Sequence, residues 1–127
     1  DKNVQFMVSD GRLLPYADNT FDWIILDAPC TGSGTIRRHP DLIHRLTLKD
    51  VKQYQKLQQE LMAKASKLLK PNGVLVYATC SLLKEENQDQ IEYVLSKVEG
   101  MQPLSLRGLN AGHLLASSTN DYSFLLT

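Results

Sequence analysis

The stretch that decides the fold reads Phe21-Asp22-Trp23-Ile24-Ile25-Leu26-Asp27-Ala28-Pro29-Cys30-Thr31-Gly32-Ser33-Gly34. It opens as a nearly unbroken apolar run and then changes abruptly to an acid, a proline, a thiol and two glycines. Such a run predicts a strand buried on both faces, which is typical of a parallel sheet covered by helices. Ligands of open sheets bind beyond the carboxyl ends of the strands. We therefore expect Asp27, Pro29 and Cys30 to lie beside a ligand.

The composition fits one domain with a sizeable core. The chain has 127 residues, of which 43% are hydrophobic and 22% charged. Basic and acidic residues number 14 each, so no global field attracts nucleic acid, and contact with a polyanion requires a local patch. Two cysteines without metal-type spacing predict neither a disulfide framework nor a metal site. The sequence shows no signal peptide or membrane-length apolar run, which favours the cytoplasm.

The remaining pattern predicts strands that alternate with helices. Thr47 and Asp50 resemble a capping box, and the helix behind them is predicted to run to about Leu69, with Lys67 and Lys70 in its last turn and Pro71-Asn72-Gly73 ending it. A second helix is predicted over residues 84–99, with Gly100 as its C-terminal cap. The predicted strands cover residues 4–8, 22–26 and 74–78, and two weaker candidates cover 101–106 and 122–126.

The order of these elements brings the two cysteines together. A strand, a helix and a second strand form a unit whose strands are parallel and commonly adjacent. Neighbouring strands lie about 4.8 Å apart. Cys30 and Cys80 each follow the end of one of these strands, so the topology predicts that both thiols and Asp27 converge on one small site.

Two thiols and an acid suit the methylation of a pyrimidine at carbon 5. That carbon is a poor nucleophile until a thiolate adds to carbon 6 and makes the ring electron-rich. One thiol can therefore act as a covalent nucleophile. A second group can help the proton and the enzyme sulfur to leave, and a carboxylate can contact the edge of the ring.

Two short motifs resemble those of a known family. Asp27-Ala28-Pro29-Cys30-Thr31-Gly32, with Arg37-Arg38-His39-Pro40-Asp41 behind it, resembles the fourth motif of the RNA cytosine-5 methyltransferases of the bacterial small-subunit rRNA and nucleolar type. Thr79-Cys80-Ser81 resembles the sixth motif of that family. Residues 69–73 and 85–87 fit as well, and the matched region runs from about Val4 to Val98.

The resemblance implies roles for the residues near the strand ends. Cys80 would be the nucleophile that forms a covalent adduct at carbon 6, and Cys30 would assist release of the product. Asp27 would contact the target cytosine, and Asp27 and Pro29 would also bind the methyl donor, S-adenosylmethionine. Asp10, at the end of the predicted first strand, would face the adenine of this cofactor, although Asp10 by itself is equally typical of a turn.

The resemblance also implies a partner and a reaction. The partner would be RNA, and the relatives suggest that it is 16S rRNA of the small subunit. A target cytosine must be exposed or flipped to reach such a pocket. Arg37 and Arg38 would contact phosphates, or else belong to a solvated loop. No metal is implied.

The implied fold is α/β, the C-terminal part of a Rossmann-like S-adenosylmethionine-dependent methyltransferase, with a mostly parallel sheet and an antiparallel last strand. The family's glycine-rich cofactor turn has no counterpart in these residues. Gly32-Ser33-Gly34-Thr35 is not followed by Gly-Lys-Ser/Thr, which disfavours a nucleotide-triphosphate site. We therefore expect residues 1–127 to form one partial catalytic domain, without the glycine-rich strands or an RNA-binding domain. It would be inactive alone and could self-associate through an exposed sheet edge.

Two other function classes compete with this interpretation. The chain could be a non-catalytic remnant or interaction module that keeps the fold without binding cofactor. It could also be a binding-only RNA module, but its neutral charge and the lack of an aromatic platform disfavour that class.

Overall fold

The computed structural model describes residues 3–104 and 124–126. Three short 3₁₀ turns cover Gly11–Leu13, Ser33–Thr35 and Lys84–Glu86. The other elements, in chain order, are β1 (Phe21–Asp27), α1 (Leu42–Arg45), α2 (Leu48–Leu68), β2 (Leu69–Ala78), α3 (Gln88–Lys97), β3 (Gln102–Pro103) and β4 (Phe124–Leu126).

The sheet has the strand order β1-β2-β4-β3 in the described part of the chain. β1 and β2 are parallel, and their register sets Ile24 opposite Leu75 and Asp27 opposite Ala78. β4 runs antiparallel to both β2 and β3. The predicted α/β class and the antiparallel last strand are therefore confirmed.

The long helix α2 begins as the sequence predicts. Thr47 accepts a hydrogen bond from the backbone N–H of Asp50, and the Asp50 carboxylate accepts one from the backbone N–H of Thr47, so the capping box is complete. The helix packs its apolar face on the sheet and on α3. The core that results contains Ala28, Met62, Ala65, Leu69, Leu75, Tyr77, Ile91, Val94 and Met101.

The strand predicted over residues 4–8 is wrong for this structure. These residues have no strand conformation, and the side chains of Phe6 and Val8 are fully exposed. A strand persists only when a neighbour takes up its backbone hydrogen bonds, and in the described sheet β1 pairs with β2 alone. Asp10 consequently does not end a strand but caps the first 3₁₀ turn.

The prediction that β1 is buried on both faces is also wrong in the described structure. Ile24 and Leu26 pack against the core, whereas Trp23 and Ile25 on the other face are 57% and 74% exposed. The alternation follows from the two-residue period of a strand, which sends successive side chains to opposite faces. β1 also lies at one edge of the described sheet, and self-association through that edge stays a prediction.

The first predicted helix ends within one residue of the expected end, but the residues after it form a strand and not a turn. α2 stops at Leu68, and Lys70 already belongs to β2 together with Pro71-Asn72-Gly73. Lys70 precedes a proline, which disfavours helical backbone at that residue. Asn72 has a φ of 64°, in the left-handed region, and the pairing of β2 with β1 shifts between Phe21 and Trp23.

The second predicted helix is divided in two. The 3₁₀ turn at Lys84–Glu86 is followed by α3, and between them Asn87 has non-helical backbone angles, with φ −120° and ψ −93°. The Asn87 amide donates to the carbonyls of Ser81 and Leu83, at 2.8 and 2.9 Å, which holds it at the preceding loop. α3 ends at Lys97, three residues before Gly100, which has a φ of 81°.

Both weaker strand candidates contain a strand. Among the described residues of the candidate over 101–106, 102–103 form β3, and the described residues of the candidate over 122–126 form β4. Residues 105–106 and 122–123 of these predictions lie outside the described residues. Among the helices that the structure describes, none has the length and apolar character needed to cross a membrane.

Candidate active site

Two loops meet beyond the carboxyl ends of β1 and β2. The first cysteine loop comprises residues 28–34 and the second comprises residues 79–83. The N–H of Gly34 donates to the carbonyl of Cys80 at 2.9 Å. The N–H of Leu82 donates to the hydroxyl of Ser33 at 2.8 Å. These hydrogen bonds join the loops directly, so the position of one cysteine depends on that of the other.

Glycine allows the close approach of the two loops. A Cβ added at Gly34 would lie 2.6 Å from the carbonyl oxygen of Cys80, a distance that real Cβ atoms essentially never show. Gly32 has a φ of 72°, in the left-handed region that favours glycine. Any side chain at Gly34 would therefore push Cys80 away from its present place.

The two sulfurs lie side by side. The Sγ atoms of Cys30 and Cys80 are 3.0 Å apart, and both cysteines are free. Cys80 is exposed, whereas Cys30 is half-buried. The convergence that the topology predicted for the two thiols is present, and Cys80 is the more exposed of the two residues.

The environment of Cys30 favours its thiol form. Burial raises the pKa of Cys30 to about 11, and the hydrogen bond with Cys80 contributes in the same direction. A thiol with that pKa carries its proton at neutral pH and can donate it in a hydrogen bond to the sulfur of Cys80.

Asp27 and Pro29 lie at the open end of the sheet. Both residues are exposed, and the carboxylate of Asp27 has no hydrogen-bond or ion-pair partner among residues 3–104. The carbonyl of Pro29 accepts a hydrogen bond of 2.9 Å from the amide of Gln58 on α2. The carboxylate is therefore available to a ligand while the loop that follows it is held in place.

Asp10 has a different setting from the one predicted. Its carboxylate pairs with Arg12, whose Nη2 lies 2.7 Å from Oδ2. Hydrogen bonds from Arg12 lower the pKa of Asp10 to about 2. Arg12 also pairs with Glu60 on α2 at 3.0 Å. The surroundings of Asp10 therefore fit its alternative role as a turn residue, and its part in cofactor binding stays a prediction.

Arg37 and Arg38 lie on the exposed segment between the second 3₁₀ turn and α1. Their side chains make no hydrogen bond or ion pair with any residue that the structure describes. They are therefore not drawn into the cysteine loops, and their charge faces solvent. An RNA-binding role for them also stays a prediction.

A buried polar cluster beneath the loops was missed by the sequence analysis. Its members are Glu86, Gln58 and Gln90, and each is completely buried. The Gln90 amide donates to Gln58 at 2.9 Å, and the Gln58 amide donates to Glu86 at 3.1 Å. Gln58 offered a signal, because it interrupts the buried apolar face of α2. Glu86 belongs to a segment that fits the family resemblance, but nothing in the sequence indicated that its carboxylate is buried, since an acid near a helix start is ordinary.

A family match accompanies this geometry. The sequence profile of the family described as 16S rRNA methyltransferase RsmB/F matches residues 2–121. The chain belongs to this family. Among similar family proteins, the ribosomal RNA small subunit methyltransferase B of Yersinia pseudotuberculosis is 47% identical over 92 residues, which is 71% of this chain and 21% of that protein. The protein of the same name from Salmonella paratyphi B is 48% identical over 80 residues, 63% of this chain and 19% of that protein.

Solved structures agree with the fold. The structure titled NSun6 from Pyrococcus horikoshii with SFG matches with a TM-score of 0.70 and 38% identity, and the match covers 82% of this chain and 26% of that one. A methyltransferase homologue from the same organism matches with a TM-score of 0.55 and 46% identity, covering 67% of this chain and 26% of that one. The chain spans about a fifth of the length of the curated relatives it matches.

Proposed function

We propose that this chain carries the catalytic thiols of an S-adenosylmethionine-dependent RNA cytosine-5 methyltransferase that acts on 16S rRNA in the cytoplasm. The observation that carries the proposal is the 3.0 Å separation of the Cys30 and Cys80 sulfurs beyond two parallel strands. The names of the family and of its relatives support rRNA as the substrate class. A structural relative with SFG, an S-adenosylmethionine analogue, supports the choice of methyl donor.

The described residues fit part of the methyl donor. S-adenosylmethionine, when bound, supplies an electrophilic methyl group. The unpartnered carboxylate of Asp27 suits its polar groups, and Pro29 offers an exposed apolar contact beside it. Asp10 fits only after a change, because Arg12 occupies both oxygens of its carboxylate. A role for Asp10 toward adenine therefore requires Arg12 to move aside.

Cys80 acts as the nucleophile in this proposal. Its thiolate attacks carbon 6 of cytosine, and the electron pair of the carbon 5–carbon 6 double bond becomes available at carbon 5. Carbon 5 then takes the methyl group, and S-adenosylhomocysteine would be left as the other product. Loss of the carbon 5 proton to water restores the double bond as the carbon–sulfur bond breaks, and the bonding electrons return to Cys80.

Cys30 and Asp27 support that cycle. Cys30 keeps its proton at neutral pH and lies within hydrogen-bond distance of Cys80, so it can donate to the sulfur that leaves the product. Asp27 can accept a hydrogen bond from the exocyclic amine of the cytosine. Arg37 and Arg38 offer exposed positive charge to phosphates.

The test grafts this chain in place of the matching segment of the Yersinia pseudotuberculosis methyltransferase. The graft is incubated with unmodified 16S rRNA and labelled S-adenosylmethionine, and separately with RNA that carries 5-fluorocytosine. We expect methylation and, with the fluorinated RNA, a covalent adduct at Cys80. Cys80→Ala should abolish both, whereas Cys30→Ala should leave adduct formation intact and slow product release.

Two outcomes would overturn the proposal. One is a folded graft that methylates as well with Cys80→Ala as without it. The other is a folded graft that neither methylates nor forms an adduct, which would favour the non-catalytic interaction module. The isolated 127-residue chain is expected to be inactive, and methyl transfer by it alone would contradict that expectation.

A further inference from the structure

One buried carboxylate binds both cysteine loops. Glu86 ends the third 3₁₀ turn and is completely buried. Its Oε1 accepts hydrogen bonds from the backbone N–H of Thr31, at 2.9 Å, and from the Gln58 amide, at 3.1 Å. Its Oε2 accepts from the hydroxyl of Thr31, at 2.6 Å, and from that of Ser81. Thr31 belongs to the first cysteine loop and Ser81 to the second, so the carboxylate accepts hydrogen bonds from both loops.

The positions of those partners matter. Thr31 directly follows Cys30, and Ser81 directly follows Cys80. The carboxylate therefore fixes the residue next to each thiol. A second connection reinforces it, because the hydroxyls of Ser33 and Ser81 lie 3.0 Å apart. Movement of Glu86 would therefore remove one anchor from each loop at once and leave the loops held only by the hydrogen bonds between them.

A carboxylate is costly to bury at this place. No ion pair among residues 3–104 includes Glu86. Burial of a charge without a cation is unfavourable unless hydrogen bonds satisfy it. Here every partner of the carboxylate donates, and Gln90 holds Gln58 in its donating orientation. An apolar side chain could fill the space but could not accept the hydrogen bonds from Thr31 and Ser81.

We propose that Glu86 is a positioning residue that sets the separation of the two sulfurs. It does not touch the substrate; it acts through Thr31 on Cys30 and through Ser81 on Cys80. The catalytic meaning of this role rests on the proposed function, but the geometric role itself can be tested without RNA or methyl donor.

The test uses phenylarsine oxide as a probe of paired thiols. The reagent condenses with two neighbouring thiols, forming two arsenic–sulfur bonds and releasing one water molecule. Its rate of reaction with the 127-residue chain is followed by intact mass, and alkylation by iodoacetamide, which needs only one thiol, is measured in parallel. Circular dichroism establishes that each variant is folded at the assay temperature.

Glu86→Ala should slow arsenical bridging by about tenfold or more, because small displacements of positioned groups have large effects on rates. The rate at which iodoacetamide alkylates Glu86→Ala should be no lower than in the parent chain. Glu86→Gln should keep most of the bridging rate, since its oxygen can accept from the two N–H donors while its amide faces two rotatable hydroxyls. Glu86→Leu fills the space but accepts no hydrogen bond, so it should bridge as slowly as Glu86→Ala, which is a result that a purely space-filling role would not give.

Two controls separate positioning from general destabilisation. Glu85→Ala removes an exposed acid from the adjacent position and should leave bridging unchanged. Met62→Ala opens the core at a completely buried residue and should lower stability while leaving bridging intact in the folded chain. If Glu86→Ala does not fold, Thr31→Val and Ser81→Ala each remove one hydroxyl, and each should slow bridging several-fold.

The proposal is overturned if the bridging rate of folded Glu86→Ala is within about twofold of that of the parent chain. It is also overturned if Met62→Ala slows bridging as much as Glu86→Ala does. With the hydroxyl variants, unchanged bridging in both would overturn it. These results do not depend on methyl transfer. A graft that forms no adduct with fluorinated RNA would refute the proposed function while leaving the role of Glu86 in the thiol geometry standing.

Discussion

At the scale of single residues, the two cysteines differ in environment although their sulfurs are adjacent. Cys30 is half-buried beneath its loop, and Cys80 is exposed. Burial is the larger cause of the raised pKa of Cys30, and the hydrogen bond with Cys80 is the second. Cys80 is therefore the more accessible of the two cysteines, and Cys30 is the one that keeps its proton at neutral pH.

This difference predicts a distinctive pH profile of alkylation. The rate at Cys30, measured by peptide mass spectrometry, should reach its midpoint near pH 11, because the thiolate is the reactive form and the pKa of Cys30 is raised to about 11. In Cys80→Ala the midpoint should move down yet stay above the ordinary cysteine value, since burial persists. A midpoint for Cys30 at its ordinary value in the parent chain would contradict this account.

At the scale of elements, α2 positions much of the site from below. Its N-terminus is fixed by the reciprocal hydrogen bonds of Thr47 and Asp50. Its middle carries Gln58, which reaches both the carbonyl of Pro29 and the carboxylate of Glu86. The same helix therefore contributes to the core and supports the first cysteine loop.

Loss of the cap should weaken the chain measurably. Thr47→Ala removes the hydroxyl that accepts from the backbone of Asp50, and we expect the free energy of unfolding to fall by about 1 kcal/mol. Thr47→Ser keeps the hydroxyl and should stay close to the parent. Urea denaturation measures both, and equal stability of the alanine and serine variants would show that the cap contributes nothing.

The sequence predicted those elements whose signals are local. The capping box identified the start of α2, and the apolar runs identified β1 and β2. The strand over residues 4–8 failed because pairing is not local: the apolar residues from Val4 to Val8 have strand character, but no described strand takes their hydrogen bonds. The prediction of one continuous helix across Asn87 failed for a related reason, because the break depends on hydrogen bonds to the carbonyls of Ser81 and Leu83.

The candidate site was predictable to a similar degree. The two thiols could be brought together from topology alone, because parallel neighbours end at the same edge. The Glu86 cluster could not, since its partners come from residues as distant as Thr31 and Gln58, and only packing reveals that a helix-start acid points inward. The partner of Asp10 was missed although Arg12 lies two residues away.

At the scale of the whole molecule, stability should fall with acid. The pKa of Asp10 is lowered to about 2 by Arg12, and that of Asp50 is lowered by its hydrogen bonds to Thr47. A lowered folded-state pKa means that the unfolded chain binds more protons in this range. The stabilising contribution is therefore present above the ordinary value of 3.8 and is lost as pH falls toward the folded pKa.

Urea denaturation at a series of pH values from about 5 to about 2.5 measures this loss. Arg12→Gln should show a smaller decrease over that range, because Asp10 then titrates nearer its ordinary pKa. Arg37→Gln offers a matched removal of an exposed arginine charge that pairs with no described residue, and it should follow the parent more closely. The same acid dependence in Arg12→Gln as in the parent would exclude Asp10 as a contributor.

The parallel register of β1 and β2 sets the relative position of the two thiols along the strand direction. Asp27 lies opposite Ala78, and Cys30 and Cys80 follow these two residues by three and two positions. A slip of one residue would displace one loop by about 3.3 Å along the strand and turn its side chains to the opposite face. Substitutions inside the sheet that shift this register would therefore separate the two thiols without unfolding the domain or contacting either sulfur.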